Sequence, residues 1–490
     1  MLRNNFFGLT FHNPLPMQQN PYRENREELD EILKQYQNLR NGRQHSFLEE
    51  EAFEKIINYF DDKDDLPGAL EAVQTGLEYF PFSSQLLIKK ADLLIALHKY
   101  KEALQILEQA ELFDGTDLNL YILKTDAYLA LDQQEKAVVL LEDALQIFEG
   151  EERIELLFEL ADVYDDYEEF DKVFDCLKII LEEEPTSEEA LYKICFWTDF
   201  TGRCEESIIL HQSIIDNYPY NELAWFNLGA AYQGLKLYEK AIDAYQFAVV
   251  IDEKFDTAYR NMGDAYIRIR KYKEAIETLQ KVLELTRPDQ VIYEAIAHCF
   301  HLMKNYAQAR FHYRKASHMN PGESKLQYKI AMTYINEKQW QSALKPLENA
   351  MNIRSNVAEY NLAMGECKMQ LENYKEAIQH FSLAVRQKPK NISGWEALIS
   401  CLYKAGYFEE ACTQSLSALK ATEDKPVFYF IYSASLFALK RSKEALVQLE
   451  KGLEQSTKQL KKFIELNPAI LQNNHVVDLI AKFKKRKNFR

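Results

Sequence analysis

The sequence predicts an all-α fold, a solenoid of helix pairs stacked end to end. Three observations predict it. A small residue recurs every 34 residues, at Ala241, Ala275, Ala309, Ala343, Ala377, Ala411 and Ala445, and backwards at Ser207 and Val173. After a two-residue slip near Gly150 the series resumes at Ala137, Ala103 and Ala69, so twelve units fill residues 50–459. Apolar residues fall three and four apart in two runs per unit, the mark of two amphipathic helices. Finally, 15 glycines and 13 prolines in 490 residues leave few breaks in the chain, and a stacked array lengthens without needing a larger core.

Within each unit the recurring small residue is numbered position 20. The first helix then has apolar residues at positions 4, 7, 8 and 11, as in Trp225, Leu228, Gly229 and Tyr232, or Tyr259, Met262, Gly263 and Tyr266. The second has them at 17, 20, 24 and 27, as in Tyr238, Ala241, Tyr245 and Ala248. Position 8 is small in the central units (Gly229, Gly263, Ala297, Ala331, Gly365), which lets the paired helices approach closely. Proline at position 32 (Pro81, Pro185, Pro219, Pro321, Pro389) cannot continue the second helix.

These residues resemble the tetratricopeptide repeat (TPR) family, which favours Trp, Leu, Gly and Tyr at 4, 7, 8 and 11, then Ala, an aromatic, Ala and Pro. The resemblance covers about twelve repeats and implies a right-handed α-α superhelix whose first helices line a concave groove. Lys90 and Lys124 replace leucine at position 7, and Cys204 and Ser207 weaken the unit at 188–221, so irregular units are expected there.

Around the array, residues 1–20 are expected to form a flexible segment carrying Phe6, Phe7 and Phe11, and residues 21–49 a capping helix. Residues 460–490 are read as C-terminal capping helices with a basic tail, with 443–466 as one long helix. Asn467 and Pro468 then offer an N-cap and first-turn pair for a short terminal helix.

Positions 2, 5, 9 and 12 of the first helix share the face opposite the buried series, which is expected to look into the groove. In the early units that face is acidic, through Glu54, Asp61, Asp92, Asp126 and Glu155. The fourth to eighth units supply the candidate binding residues: Phe158, Asp162, Asp165, Asp166, Tyr192, Phe196, Asp199, Phe226, Arg260, Asp264, Arg268, His298 and His301. Later units are more apolar, with Tyr328, Ile335, Tyr403, Phe430 and Phe437. Residues 149–189 hold 17 acidic and 3 basic side chains, whereas 451–490 hold 10 basic and 3 acidic ones. Carboxylates clustered on a concave wall attract and orient a cationic segment, and aromatics anchor it.

The expected function is therefore a non-enzymatic scaffold or adaptor that binds a basic, apolar-anchored protein segment. The alternative is a regulatory sensor whose superhelix changes shape on binding, with Gly150 as a hinge. Head-to-tail self-association through the basic tail is a further expectation. No GxxxxGK[ST], GxSxG or HExxH motif is present, and nothing points to catalysis or a cofactor. The His298/His301 pair lacks an evident third metal ligand. The chaperone-binding TPR set is missing as well: Arg260 is followed by Asp264 rather than Asn, and Phe226 and Ala230 stand where its Lys and Asn belong. A largely acidic face disfavours specific nucleic-acid binding. Seven scattered cysteines, no secretory leader and no membrane-length apolar run place the chain in the cytoplasm.

Overall fold

The computed structural model describes residues 21–41 and 48–487; the expected flexible segment 1–20 and the end of the basic tail lie outside them. Among the described residues there are 27 α-helices and no strand. The chain divides into two compact units, Met1–Pro219 and Tyr220–Arg490.

In the first unit α1 (Pro21–Arg40) precedes five helix pairs. These are α2 (Glu50–Asp61) with α3 (Leu66–Tyr79), α4 (Ser84–Ala96) with α5 (Tyr100–Glu111), and α6 (Leu118–Ala130) with α7 (Gln134–Ala144). Then come α8 (Glu151–Asp166) with α9 (Phe170–Glu183) and α10 (Glu188–Thr201) with α11 (Cys204–Asn217). Helix α1 seats Tyr36, 1% exposed, edge-on to Phe53 and Phe60, and Arg40 reaches Glu71 at 2.6 Å.

The second unit holds seven pairs. They run α12 (Glu222–Gly234) with α13 (Tyr238–Ile251), α14 (Asp256–Arg268) with α15 (Tyr272–Leu285), and α16 (Gln290–Leu302) with α17 (Tyr306–Met319). Next are α18 (Ser324–Asn336) with α19 (Trp340–Ile353) and α20 (Ala358–Gln370) with α21 (Tyr374–Gln387). The last are α22 (Ile392–Lys404) with α23 (Phe408–Ala421) and α24 (Pro426–Ala438) with α25 (Ser442–Gln455), followed by α26 (Leu460–Leu466) and α27 (Asn474–Lys487).

All twelve position-20 residues are buried, from Ala69 to Ala445, including Ser207 and Val173. A second series repeats in the backbone. The residue linking the two helices of each pair has positive φ: Asp64, His98, Asp132, Glu168, Gly202, Lys236, Arg270, Lys304, Lys338, Glu372, Gly406 and Lys440. The interval is 34 throughout except for 36 between Asp132 and Glu168, which places the slip between the third and fourth of these turns. At the turns other than that of Gly202 the next N–H bonds a carbonyl five residues back, as Leu237 does to Tyr232 at 2.9 Å, closing the first helix with a Schellman-type bond. The second helices with a downstream proline stop two residues short of it, at Tyr79, Glu183, Asn217, Met319 and Gln387, because the residue before proline is pushed out of the helical region.

The irregular positions resolve individually. Lys124, 5% exposed, runs its stem through the core and puts its ammonium 2.6 Å from Glu111, while Lys90 donates to Gln74 at 3.0 Å. The weak unit does loosen: α10 and α11 touch less than any other pair, around a polar core of Thr198, Ser207 and the fully buried His211. One expectation fails. Residues 443–466 are not one helix, because Ser456 is extended (φ −160°, ψ 121°) and breaks it. The break turns α26 back, so that Phe463 joins a core with Phe430, Leu449 and Leu453 that a straight helix would leave unfilled. Pro468 begins a 3-10 helix, Pro468–Gln472, rather than an α-helix, and Asn467 makes no side-chain cap bond there.

Candidate protein-binding site

The structure divides the sequence-predicted site residues between the two units, and each group stands by itself. Phe158, Asp162, Asp165 and Asp166 lie on α8, and Tyr192, Phe196 and Asp199 on the neighbouring first helix α10. All four aspartates are exposed, Phe158 is half-buried, and Tyr192 and Phe196 are 62% and 61% exposed. Phe200, also exposed, stacks on Phe196 at 5.9 Å, and both meet the buried Trp197, which stacks on Phe170 at 5.3 Å. A rigid aromatic shelf thus stands beside the carboxylates.

Two residues that the sequence reading omitted join these helices electrostatically. Lys193 lies 3.5 Å from Asp162 and 2.9 Å from Glu189, with its ammonium 4.9 Å from the centre of the Phe158 ring. Burial works against its charge, yet the Glu189 and Asp162 carboxylates outweigh it and hold Lys193 above the usual lysine range. Glu159 is pushed up from the usual carboxylate range by burial, then by Asp126, Asp162 and Glu155. Asp165 is pushed up by burial and by its neighbours Asp166 and Asp162. Further along the same face burial raises Glu54, with Glu50 adding to it, and raises Asp92, with Asp61 adding. One lysine against this many carboxylates leaves an excess of negative charge that an added cation relieves. Glu159 and Lys193 occupy position 6, outside the 2, 5, 9, 12 pattern, which is why pattern reading passed over them.

In the second unit the predicted residues are mostly engaged. Arg260 pairs with Asp289 at 2.7 Å, and Asp264 meets Arg268 at 3.4 Å and Gln233 at 3.5 Å. His301 contacts Asn336 at 3.2 Å and Tyr306 edge-on at 5.4 Å, so its partners come from the following helices rather than from Asp264. Both histidines are held below their ordinary range, first by burial; Lys329 adds to this at each, and at His301 the His298 ring adds more. Among the described residues no three of His, Cys, Asp and Glu gather as a metal site would require. Phe226 corrects the reading. It is 9% exposed, packed against Tyr245 and Phe255 with ring centres 5.7 and 5.0 Å away, because glycine at 229 draws Tyr245 in beneath it.

Phe430, expected on the open face, is fully buried for a different reason. Helix α26 lies across that face at the last two first helices. Phe463 meets Phe430 and Phe437 with ring centres 6.2 and 6.4 Å apart, and Asn467 bonds the Tyr403 side chain. Positions 5 and 12 of these repeats therefore hold an apolar helical segment supplied by the chain itself. Ile335, at position 12 of its own unit, is buried too, within the core of α18–α20.

Comparison with known proteins gives two family matches, both in the second unit. Residues 220–287 match the tetratricopeptide repeat model, and residues 302–384 match that of anaphase-promoting complex, cyclosome, subunit 3. No curated protein matches the chain by sequence. Among solved structures it is similar to YrrB, described as a TPR protein with an unusual peptide-binding site (18% identity, 38% of this chain and 96% of that one, TM-score 0.34). It is also similar to the APC/C hetero-tetramer Cut9-Hcn1 (11% identity, 80% and 97% covered, TM-score 0.33). A third is the C-terminal part of a TPR repeat-containing protein from Cytophaga hutchinsonii (13% identity, 52% and 99% covered, TM-score 0.42). The matched stretches sample one pattern that runs through all twelve helix pairs with the same buried small residue and the same left-handed turn, and the chain belongs to the tetratricopeptide repeat proteins.

Proposed function

We infer that the chain acts through protein–protein interaction, as tetratricopeptide repeats generally do; none of the described helices is long and apolar enough to cross a membrane. We propose that this chain is a non-enzymatic scaffold that takes a basic, apolar-anchored protein segment on the first-helix face of α8 and α10. The observation that supports this most is α26: the first-helix face of α24 already holds it by the Phe463 ring, and Tyr403 of α22 bonds Asn467 at its end. On α10 the same first-helix face carries Tyr192 at position 5 and Phe196 at position 9, both exposed among the carboxylates of α8 and α10. Lys193, a cation between Asp162 and the Phe158 ring, supports this mode of capture. Seven free cysteines, six of them buried, suit a reducing cytoplasm, where we place the protein.

The test uses the full chain and a fluorescein-labelled amphipathic peptide of alternating Lys and Leu/Phe turns, followed by anisotropy from low to high salt. Binding is expected to weaken steeply with salt and to drop about tenfold in Asp162→Asn/Asp165→Asn/Asp166→Asn. Phe196→Ala is expected to weaken it at every salt concentration. A peptide that binds all variants alike, or one indifferent to salt, refutes the site.

A further inference from the structure

A second surface has the opposite character. In the second unit, a cleft of about 830 Å³ opens where α18, the start of α20 and the end of α21 meet. Lys325, Arg354 and Arg386 line it, above an apolar floor that includes Tyr328, Val357 and Leu383. All three cations are exposed and none has an acidic partner among the described residues. The neighbouring lysines do find partners: Lys329 pairs with Glu294 and Lys388 with Glu359. Those two pairs neutralise Lys329 and Lys388 and leave Lys325, Arg354 and Arg386 as the cations of the lining without an acidic partner among the described residues.

The floor adds a requirement beyond charge. Leu383 is 44% exposed, and Tyr328 packs on Tyr360 with ring centres 5.0 Å apart, a contact held by the bond between the Tyr360 hydroxyl and Ser324 at 3.0 Å. A fixed aromatic surface and an open leucine suit an apolar side chain of the ligand. Helix α20 also starts at the cleft without a side-chain cap: Val357 is its N-cap, and the first amides bonded within the helix are those of Tyr360 and Asn361. The amides of Ala358 and Glu359 therefore add to a positive site that the three side chains already define.

We propose that this cleft binds an acidic segment of a partner protein, with Lys325, Arg354 and Arg386 receiving its carboxylates and the Tyr328–Leu383 floor taking one apolar side chain. Volume and chemistry agree: the space fits a few residues of extended peptide, and two guanidinium groups recognise carboxylates by paired hydrogen bonds. The cleft belongs to the second unit and the carboxylate face of α8 and α10 to the first, and it selects a ligand of opposite charge, so this reading stands or falls separately from the one above. A scaffold with one anionic and one cationic surface can hold two different partners.

The experiment uses the full chain and a fluorescein-labelled decapeptide of Glu and Asp around a central Leu-Phe pair, with a control peptide in which Gln and Asn replace the acids. Anisotropy is expected to show saturable binding of the acidic peptide only. Arg354→Gln/Arg386→Gln should weaken it by about tenfold or more. Lys388→Gln, which removes a cation already paired, should weaken it far less. Leu383→Asp should weaken it in proportion to the lost floor, and circular dichroism of each variant checks that the helices persist. Equal affinity for both peptides, no saturable binding by the parent protein, or a double arginine variant that binds like the parent would each overturn the proposal.

Discussion

Position 8 of the repeat offers a measurement that isolates how closely the paired helices approach. A methyl group built on Gly229 would lie 2.6 Å from Cδ1 and from Cε1 of Tyr245, and 3.1 Å from Cγ. Tyr245 is fully buried and its hydroxyl donates to Gln233 at 3.1 Å, so the ring is held at both ends and cannot swing aside. Two effects compete in Gly229→Ala. Alanine favours the helical backbone by about 1 kcal/mol. Overpacking a fixed aromatic costs about 1–3 kcal/mol. The clash involves two ring atoms well inside contact distance, so it wins, and a net loss of about 1–2 kcal/mol is expected. Gly365→Ala should behave alike, since its methyl group would meet Phe381 at 2.6 and 2.7 Å. Gly263→Ala should cost less, because its neighbour is the more adaptable Leu279. Gly322→Ala, with only Asn320 Oδ1 at 3.7 Å, should be neutral within about 0.5 kcal/mol. Hydrogen exchange is the right assay, since a long repeat array need not melt as one unit. Amides of α12 and α13 should exchange roughly tenfold faster in Gly229→Ala. Unchanged or slower exchange there would refute the close-approach reading of position 8.

Three further outcomes follow from the interior and the carboxylate face. The Thr125 hydroxyl is buried with no hydrogen-bond partner, so the isosteric Thr125→Val should protect α6 by about 1 kcal/mol, read by exchange. His211 is fully buried and held neutral, its pKa lowered to about 4 by burial against an ordinary 6.5. A lowered base binds its proton first in the unfolded chain, so stability is complete above about 6.5 and is lost as pH falls towards 4, by about 3 kcal/mol in all. His211→Leu should remove that slope in an acid-unfolding series. Glu159 has the opposite sign, because its raised pKa means that folding disfavours the ionised form at neutral pH. Glu159→Gln should therefore stabilise α8 by a few tenths of a kcal/mol at pH 7 while weakening the cationic probe peptide.

Much of the frame was legible because burial constrains residue size. A helix pair that must close tightly accepts only small side chains at position 20, and this left a mark in all twelve units. Other features leave no such mark. The left-handed turn recurs in every unit, but only Gly202 and Gly406 betray it; elsewhere Asp, Glu, Lys, Arg or His accept the strained φ, and the backbone bond to the first helix holds them there. The break at Ser456 was invisible because the residues on both sides keep helical spacing, and what ends the helix is the core waiting for Phe463. The acidic face was found at positions 2, 5, 9 and 12 and missed at position 6. The basic cleft escaped because it joins two first helices, the loop before one of them and the far end of a second helix, a combination that no single-helix period describes.

The two treatments of the first-helix face bear on why the acidic patch is there. At the C-terminal end that face is apolar, and the chain covers it with its own helix, removing Phe430 from water. At α8 and α10 it combines exposed Tyr192, Phe196 and Phe200 with carboxylates that raise one another's pKa. Both features are unfavourable to the isolated chain: exposed aromatics forgo burial, and crowded carboxylates repel. A purely structural face would be relieved of either by simple polar residues without disturbing the buried positions, which lie on the opposite side of the same helices. On the proposed function, a cationic segment with an apolar side chain relieves both at once, neutralising the charge and covering the rings, and the stability withheld in the free protein becomes affinity for such a partner. The trade requires that variants which quiet the patch gain stability as they lose binding, and a variant set in which the two quantities rise together would break the link.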